Sequence, residues 1–399
     1  MNKNLLVYRL LLGKKLQNSL VAVIMALGVA LAITVLLLAN GVHESMVQAA
    51  RPFPMLMGAK GSPNQLVLNS VFLKDQPVGN LSYAEVEKLR TSKAVEQAIP
   101  LGFGDNYRGL RLIGTEKDLF ALKLLGSKEE WLQLAQGRVF GEEQEAVLGA
   151  EAARLSGLKL GDSFASAHGL VANANSKAHE EKYKVVGILK PVHGPYDQGI
   201  FVPMESIWKY HKHPGQVEDA LAKEVTAIII RPMGYAASMQ LAAAYSKHPS
   251  LQIVFPAKIV IQIFSILGNI EKALQMLNYA VLALALLIIA GSLYWFSLCS
   301  AHQQAIMRAM GGTTAQVVSL YFRLGMCLVV IGVAVGLALG HGLYYGIASL
   351  LQGRAGLYLP QQLLPEEGIL VAVILLLGAI CSWLPAYWTA IRCDIVENL

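Results

Sequence analysis

Five histidines lie between residues 168 and 213, in the segment that separates the first two apolar stretches, and histidine is a residue type well suited to hold a metal ion. They are His168, His179, His193, His211 and His213. His211 and His213 are separated by one residue, which in an extended segment places two imidazoles on one face. No third ligand stands at a recognisable metal-site spacing, and solvated histidines in a polar loop are the alternative interpretation. The sequence therefore predicts no bound metal, with His211 and His213 as the candidates if one binds.

Motifs for catalysis and nucleotide binding are absent from the sequence. It contains no G-x-x-x-x-G-K-[ST] phosphate loop, no H-E-x-x-H zinc motif, no G-x-S-x-G nucleophile motif and no C-x-x-C pair. Acidic or basic side chains at membrane depth are nearly absent, with His341 inside the third stretch and His302 just after the second, which is too few for an ion path. We therefore expect a chain that is not an enzyme, has no cofactor of its own and is not an ion-coupled carrier.

The polar segment between the second and third apolar stretches has the pattern of a short helix with a defined end. Residues 303–310 favour a helix, Gly311 and Gly312 stop it, and Thr313 or Thr314 can cap the helix that follows. A short helix lying along the inner face of a membrane could act as a lever. A plain helical hairpin is the alternative interpretation.

The elements that must position this segment are apolar. The chain has a mean hydropathy of +0.46 and 15% charged residues, so part of its surface must face lipid. Four charge-free stretches reach the roughly 20 residues that a membrane-spanning helix needs. They are 20–40, 273–300, 324–351 and 368–391. The first is longer than a signal-peptide core and lacks a convincing cleavage site, so we expect it to be an uncleaved span.

Basic residues flanking the stretches predict the orientation, because Lys and Arg are retained on the cytoplasmic side. They are Lys3, Arg9, Lys14 and Lys15 before the first stretch, Arg308 and Arg323 around the second connection, and Arg392 after the fourth stretch. Glu366 and Glu367 lie in the opposite connection. Both termini are thus predicted to be cytoplasmic and the segment after the first span extracytoplasmic. The net charge of +6 is explained by these anchors and does not indicate nucleic-acid binding.

The residues between the first two spans have the composition of a globular domain. Strands are predicted at 65–72, 184–189 and 225–231, and helices at 82–90 and 119–125, each preceded by a capping pattern (Ser82 with Glu85, Thr115 with Asp118). The four cysteines, Cys299, Cys327, Cys381 and Cys393, all lie in or beside spans, so no disulfide is expected in this domain. The predicted fold class is an α-helical membrane protein with four transmembrane helices and a large mixed α+β extracytoplasmic domain between the first and second.

Two stripes of small residues indicate helix packing. Ala22, Ala26 and Ala30 repeat at four-residue spacing in the first span, and Gly332, Gly336 and Gly340 repeat in the third. Small residues let helix backbones approach closely, which is what holds helices together in lipid. The stripes are compatible with contacts within one subunit or across a dimer. Pro385 is predicted to kink or end the fourth span locally.

The string QQAIMRAMGGTTAQV at 303–317 resembles the inner-loop motif of the FtsX/MacB/LolC-type (type VII) ABC permease family. In that family the motif forms a coupling helix that docks on the ATPase. The resemblance implies coupling roles for Gln304, Arg308, Ala309, Gly311, Gly312 and Gln316. Gln303 and Gln304 stand where charged residues are common in the family. Residues 146–162, 183–203 and 384–399 resemble further family signatures, although Ile395 replaces a frequent proline.

The resemblance implies a permease that transmits ATP hydrolysis into movement of an outer domain, exporting or extracting an envelope substrate such as a lipoprotein, peptide or small amphiphile. ATP and Mg²⁺ would be bound by a separate ATPase subunit. A second permease copy, membrane lipid and an extracytoplasmic adaptor or substrate-binding protein are the other implied partners, in the cytoplasmic (inner) membrane. The alternative is an FtsX-like signalling subunit that controls an extracytoplasmic partner such as a cell-wall hydrolase.

On this basis the chain is expected to divide into nine parts. They are a cytoplasmic amphipathic segment (1–19), the first span (20–40), a porter-like extracytoplasmic domain with an inserted subdomain (41–270), the second span (273–300), a cytoplasmic coupling loop (301–323), the third span (324–351), a short extracytoplasmic loop (352–367), the fourth span (368–391) and a cytoplasmic tail (392–399).

Overall fold

The computed structural model describes residues 3–124, 126–169, 178–210, 223–266, 268–355, 358–360 and 364–392. The chain divides into two compact units. The first contains Met1–Val42, Ile270–Leu350 and Pro360–Leu399, and the second contains His43–Asn269 and Leu351–Leu359. The second unit is close to the predicted outer domain, but it also takes in residues 351–359, which the sequence analysis assigned to the third span and to a separate loop.

The helices of the described residues are, in chain order, Lys3–Gly13 (α1), Lys15–Ala50 (α2), Pro63–Ser70 (α3), Ala84–Arg90 (α4), Ala150–Ser156 (α5), Met204–Tyr210 (α6), Tyr235–Tyr245 (α7), Pro256–Ile266 (α8), Gly268–Cys299 (α9), Ala301–Ala309 (α10), Thr314–Ala355 (α11) and Pro365–Arg392 (α12). The strands are Met55–Ala59 (β1), Leu81–Ser82 (β2), Val95–Tyr107 (β3), Leu110–Thr115 (β4), Leu134–Gly137 (β5), Glu145–Leu148 (β6), Ser163–His168 (β7), Ala178–Leu189 (β8), Ile200–Pro203 (β9), Glu224–Val225 (β10), Ala227–Pro232 (β11) and Leu251–Val254 (β12).

Four helices of the described chain are long and apolar enough to cross a membrane, judged by length and composition. Their apolar segments are Lys15–Ala50, Tyr279–Cys299, Thr314–Gln352 and Pro365–Trp388. The predicted spans coincide with parts of α2, α9, α11 and α12. Two of these helices are much longer than a bilayer requires: α2 has 36 residues and α11 has 42, or about 54 and 63 Å at 1.5 Å per residue, against a hydrocarbon thickness of about 30 Å.

Pro385 does not end the fourth apolar helix. α12 continues through it to Arg392. A proline removes one backbone donor, but helices in apolar surroundings tolerate this loss where neighbouring groups satisfy the freed carbonyl. Of the two predicted effects, an end of the helix at Pro385 is not observed, and a local kink stays a prediction.

The second unit is built on one large sheet. Among the described strands the order is β12-β1-β11-β3-β4-β9-β6-β8-β5, with β7 paired to β3 and β8. Most neighbours are antiparallel, and β4 with β9 and β6 with β8 are parallel. β3, with 13 residues, joins the two halves of the sheet, since its first part pairs with β11 and its second with β4 and β7.

The sheet is buried on both faces. In β11 the side chain of Ile229 packs in one hydrophobic cluster, while those of Ile228 and Ile230 pack in another, as the two-residue period of a strand requires. The first cluster also includes Ala50 from the end of α2 and Val260 from α8. A run of three isoleucines is therefore a strand with two apolar faces. The predicted strands at 184–189 and 225–231 are confirmed in substance by β8, β10 and β11.

Two predictions of local structure were wrong. The predicted strand at 65–72 is mostly the helix α3, because Ser62 accepts a hydrogen bond from the backbone N–H of Gln65 and Pro63 occupies the first turn. The predicted helix at 119–125 is only a 3₁₀ turn at Lys117–Leu119. Thr115 lies in β4, and its hydroxyl donates to the carbonyl of Pro100 across the sheet instead of capping a helix.

Candidate functional site

The short helix α10 ends in a fixed backbone geometry. Gly311 has a φ of +90°, a left-handed conformation that favours glycine. Its N–H donates to the Arg308 carbonyl at 3.0 Å, and the N–H of Gly312 donates to the Met307 carbonyl at 3.0 Å. These two bonds form a Schellman motif, which satisfies carbonyls that the end of a helix leaves unpaired. The predicted stop at Gly311 and Gly312 is thus confirmed as a specific cap.

The next helix starts with a capping box. The N–H of Gln316 donates to the Thr313 hydroxyl at 3.3 Å, and the N–H of Thr313 donates to the Gln316 side-chain oxygen at 3.2 Å. This reciprocal pair satisfies two backbone donors at the start of α11. Of the two threonines, Thr313 is therefore the cap. The chain between α10 and α11 is thus held by side-chain and backbone bonds at both ends.

α10 presents different chemistry on its two faces. The exposed face contains His302, Ile306, Ala309 and Met310, where the Ile306 and Met310 side chains are 36% and 75% exposed. Their spacing follows the helical period. The opposite face contains Gln304 and Ala305, both fully buried. α10 packs against α12. An apolar strip on an otherwise polar segment is a surface suited to bind another protein.

The six residues assigned to coupling by resemblance occupy different environments. Ala309 and Gly311 are exposed, Arg308 is half-buried and Gln304 is buried. Gly312 takes part in the Schellman motif and Gln316 in the capping box. Sequence reasoning missed the exposed side chains of Ile306 and Met310. The signal was available, because His302, Ile306 and Met310 recur at four-residue spacing.

The two stripes of small residues meet each other within this chain. A Cβ atom built on Gly332 would lie 2.8 Å from the Cβ of Met25, with the Ala22 carbonyl 3.5 Å away. On Gly340 it would lie 3.0 Å from the Cβ of Ile33 and 3.1 Å from the Ala30 carbonyl. Each four-residue step along α11 is therefore matched by a four-residue step along α2, and the two helices run in the same direction.

Polar bonds reinforce this helix pair. The hydroxyl of Thr34 is 2.7 Å from the Ala30 carbonyl of its own helix and 3.2 Å from the Gly340 carbonyl of α11. At the next residue of α11, His341 Nε2 lies 3.1 Å from Glu367 Oε2 in α12. Glu367 also accepts a bond from the N–H of Leu364 at 2.8 Å and so caps the start of α12. Polar contacts at this level thus tie α11 to both α2 and α12.

Two acidic residues, one in each of the stretches 146–162 and 183–203, stabilise turns of the second unit. Asp197 is buried and accepts bonds from the N–H groups of Val192 and Gly194 at 2.8 and 3.3 Å. Burial raises the pKa of Asp197, and these backbone bonds oppose the rise. Asp162 accepts a bond from the N–H of Lys159 at 2.8 Å. Both carboxylates are positioned to shape turns.

Glu145, at the start of β6, is a carboxylate held by an arginine and by backbone N–H groups. It forms a two-bond ion pair with Arg138 and accepts the N–H of Gly141 at 2.6 Å. The Arg138 guanidinium, together with the backbone donors, lowers the pKa of Glu145 to about 2. This pair ties the segment that follows β5 to the start of β6. Its role in the structure is to hold this part of the sheet.

The described residues contain no group of three or more His, Cys, Asp or Glu side chains arranged to hold a metal ion. His168 Nδ1 lies 3.4 Å from the buried Asp105 carboxylate. The ring of His193 stacks on Tyr358 with centroids 4.1 Å apart. His211 and His213 lie outside the described residues, so the structure does not test them.

The sequence is similar to one family of known proteins. A family model described as the MacB-like periplasmic core domain matches residues 19–244, more than half of the chain. The periplasmic region of MacB from Actinobacillus actinomycetemcomitans is similar at 15% identity with a TM-score of 0.36, covering 53% of this chain and 94% of that chain. The extracellular domain of the noncanonic ABC-type transporter YknZ from Gram-positive bacteria is similar at 14% identity with a TM-score of 0.31, covering 50% and 98%. No curated protein matches the sequence.

The chain therefore belongs to the MacB-like family of ABC transporter permeases. This agrees with the family that the 303–317 motif resembles. Membership also identifies the chain as a membrane protein with an extracytoplasmic domain.

Proposed function

We propose that this chain is the permease subunit of an ABC transporter in which a separate ATPase docks on α10 and moves the outer domain to export or extract an envelope substrate. The observation that carries the proposal is the geometry of α10. It is a capped helix of nine residues between two membrane-length helices, and its exposed strip is apolar. No other connection between membrane-length helices within the described residues combines these features.

Transmission requires stiff elements, and the helices next to α10 supply them. α11 runs without a break from the capping box at Thr313 to Ala355. It packs through Gly332, Gly336 and Gly340 on α2. The last residues of α2 are part of the core of the outer domain, where Ala50 is buried. A displacement of α10 would therefore act on a closely packed pair of long helices.

The orientation in this proposal places α10 and both termini in the cytoplasm. Lys14, Lys15, Arg308 and Arg323 support this orientation, because basic residues are retained on that side. ATP and Mg²⁺ belong to the partner ATPase. Binding of ATP would stabilise one of two arrangements of a permease dimer through α10.

The test is assembly and turnover of the complex in lipid nanodiscs. Ile306→Glu and Met310→Glu place charges on the exposed strip of α10. Met233→Glu is the matched control, because Met233 is a methionine that is 64% exposed in the second unit. We expect the α10 variants to lose copurified ATPase or to reduce lipid-stimulated ATP hydrolysis at least about tenfold, as the loss of a buried apolar contact at a binding centre does.

Unchanged assembly and turnover in both α10 variants, with the permease folded, would remove the docking assignment. Two further observations distinguish a transporter from a signalling subunit. A compound that accumulates when the gene is deleted supports export or extraction. A stable complex with an extracytoplasmic hydrolase, without such accumulation, supports the signalling alternative.

A further inference from the structure

The side chain of Lys14 reaches the start of α10. Its Nζ donates a hydrogen bond to the carbonyl of Cys299 at 2.9 Å, although the two residues are 285 positions apart. Cys299 is the last residue of α9, and only Ser300 separates it from α10. Lys14 is half-buried, whereas the adjacent Lys15 is exposed. Two neighbouring lysines of equal charge thus have different contacts.

The end of α9 is a favourable place for an ammonium group. The last carbonyls of a helix lack backbone partners, and the helix dipole places negative partial charge there. A hydrogen bond from a charged donor is stronger than one between neutral groups. The Ser300 side chain makes no capping bond at the start of α10. Lys14 therefore supplies a bond at the point where the chain changes direction between α9 and α10.

Lys14 is itself held in place by the turn between α1 and α2. It is the single residue between α1 and α2. Asn18, only 5% exposed, donates its side-chain amide to the carbonyls of Leu11 and Leu10 at 2.9 and 3.3 Å. The N–H of Asn18 donates to the Lys14 carbonyl at 3.0 Å. The amide of Asn18 thus satisfies the end of α1 and orients the turn that carries Lys14.

We propose that Lys14 is a positioning residue that fixes the α9–α10 junction to the N-terminal helix and so sets the orientation of α10. This inference rests on the coupling role of α10 proposed above. It adds a function for the N-terminal helix α1, which becomes a brace for the coupling helix. The alternative is that Lys14 contributes only positive charge on the cytoplasmic side, in which case Lys15 is equivalent to it.

The first test needs no ATPase. A spin label is attached to Cys299 in the full-length permease in which Cys327, Cys381 and Cys393 are replaced by alanine, and its mobility is measured in lipid nanodiscs. Lys14→Met is expected to increase the mobility. Lys15→Met, which removes the same charge, and Lys14→Arg, which retains a donor, are expected to match the parent chain. Asn18→Ala keeps all charges and is expected to act like Lys14→Met.

The second test adds the partner ATPase. Lys14→Met and Asn18→Ala are expected to lower permease-stimulated ATP hydrolysis by about tenfold, the factor that corresponds to loss of one charge-assisted hydrogen bond. Lys15→Met and Lys14→Arg are expected to retain it. Equal effects of Lys14→Met and Lys15→Met, or no change of label mobility in Lys14→Met, would overturn the positioning role.

The two proposals fail in different ways. If label mobility rises in Lys14→Met but ATP hydrolysis does not change, Lys14 fixes the α9–α10 junction as stated. The claim that this contact supports coupling to the ATPase is then overturned. If the Ile306 and Met310 variants have no effect, the docking role of α10 fails, whereas the mobility result still decides whether Lys14 holds the junction.

Discussion

Gly336 of α11 lies directly against the backbone of Ala26 in α2. A Cβ atom on Gly336 would come 2.8 Å from the Ala26 carbonyl oxygen and 2.6 Å from the Cβ of Val29. Real Cβ atoms do not approach backbone this closely, so the two helices are in contact at their main chains. Without a hydrophobic driving force between helices in lipid, such close packing is the main source of their association.

Gly336→Ala should therefore weaken the α2–α11 pair. We expect a loss of about 1–3 kcal/mol of unfolding free energy, because the added methyl group must push the helices apart. The measurement is reversible unfolding of the full chain in mixed detergent micelles. Gly342→Ala is the matched control, since a Cβ there meets no atom within 4 Å. Equal stability of the two variants would contradict the contact.

Gly311→Ala should strain the end of α10 without any steric clash. A Cβ on Gly311 meets nothing within 4 Å, but its φ of +90° disfavours alanine by roughly 1–2 kcal/mol. We expect a change in the backbone of the α10–α11 turn and a loss of ATPase coupling, measured as permease-stimulated hydrolysis. Gly291→Ala, equally open and without a positive φ, is the control. If both variants couple normally, the left-handed cap is not required for coupling.

Thr313→Ala and Gln316→Ala should each lower the free energy of unfolding by a similar amount. The two losses should not be additive in the double variant. Each removes one side of the same capping box, and a cap contributes about 0.5–2 kcal/mol. A double-mutant cycle measured by unfolding in detergent gives the coupling energy. Thr314→Ala, at the next position along, is the control and should change stability much less. Full additivity of the two variants would show that the side chains do not interact.

Glu145→Gln should remove a pH-dependent part of the stability of the outer domain. The pKa of Glu145 is lowered from 4.5 to about 2 in the folded chain. A carboxylate with a depressed pKa contributes its full stability above the unfolded value, and this contribution is lost as the pH falls from about 4.5 through 2. Thermal unfolding followed by near-ultraviolet circular dichroism should therefore separate the wild type from the variant at pH 6, and the difference should shrink toward pH 2.

Glu142→Gln is the control for that experiment, because it removes the same charge from an exposed residue three positions away. It should behave like the wild type across the range. If the difference in thermal stability between the wild type and Glu145→Gln were the same at all pH values, packing, and not the Arg138 ion pair, would account for that difference.

Local patterns predicted some elements of the site and failed at others. Gly311 and Gly312 marked the end of α10, because glycine after a polar helical run is a local signal. The role of Gln316 was assigned from resemblance, whereas the structure shows it in a capping box that its spacing from Thr313 could have predicted. The strand predicted at 65–72 failed because Val67 and Leu68 fit either period over so short a segment.

By itself the sequence determined the four apolar helices, the polar segment between the second and third of them, and the family, since each depends on composition or on residues close together in the chain. Only the tertiary structure decided which stripes meet. It paired Gly336 with Ala26 within one chain and brought Lys14 to the carbonyl of Cys299, 285 positions away. Contacts of this kind depend on how helices pack side by side, and no periodicity within either segment encodes the identity of its partner.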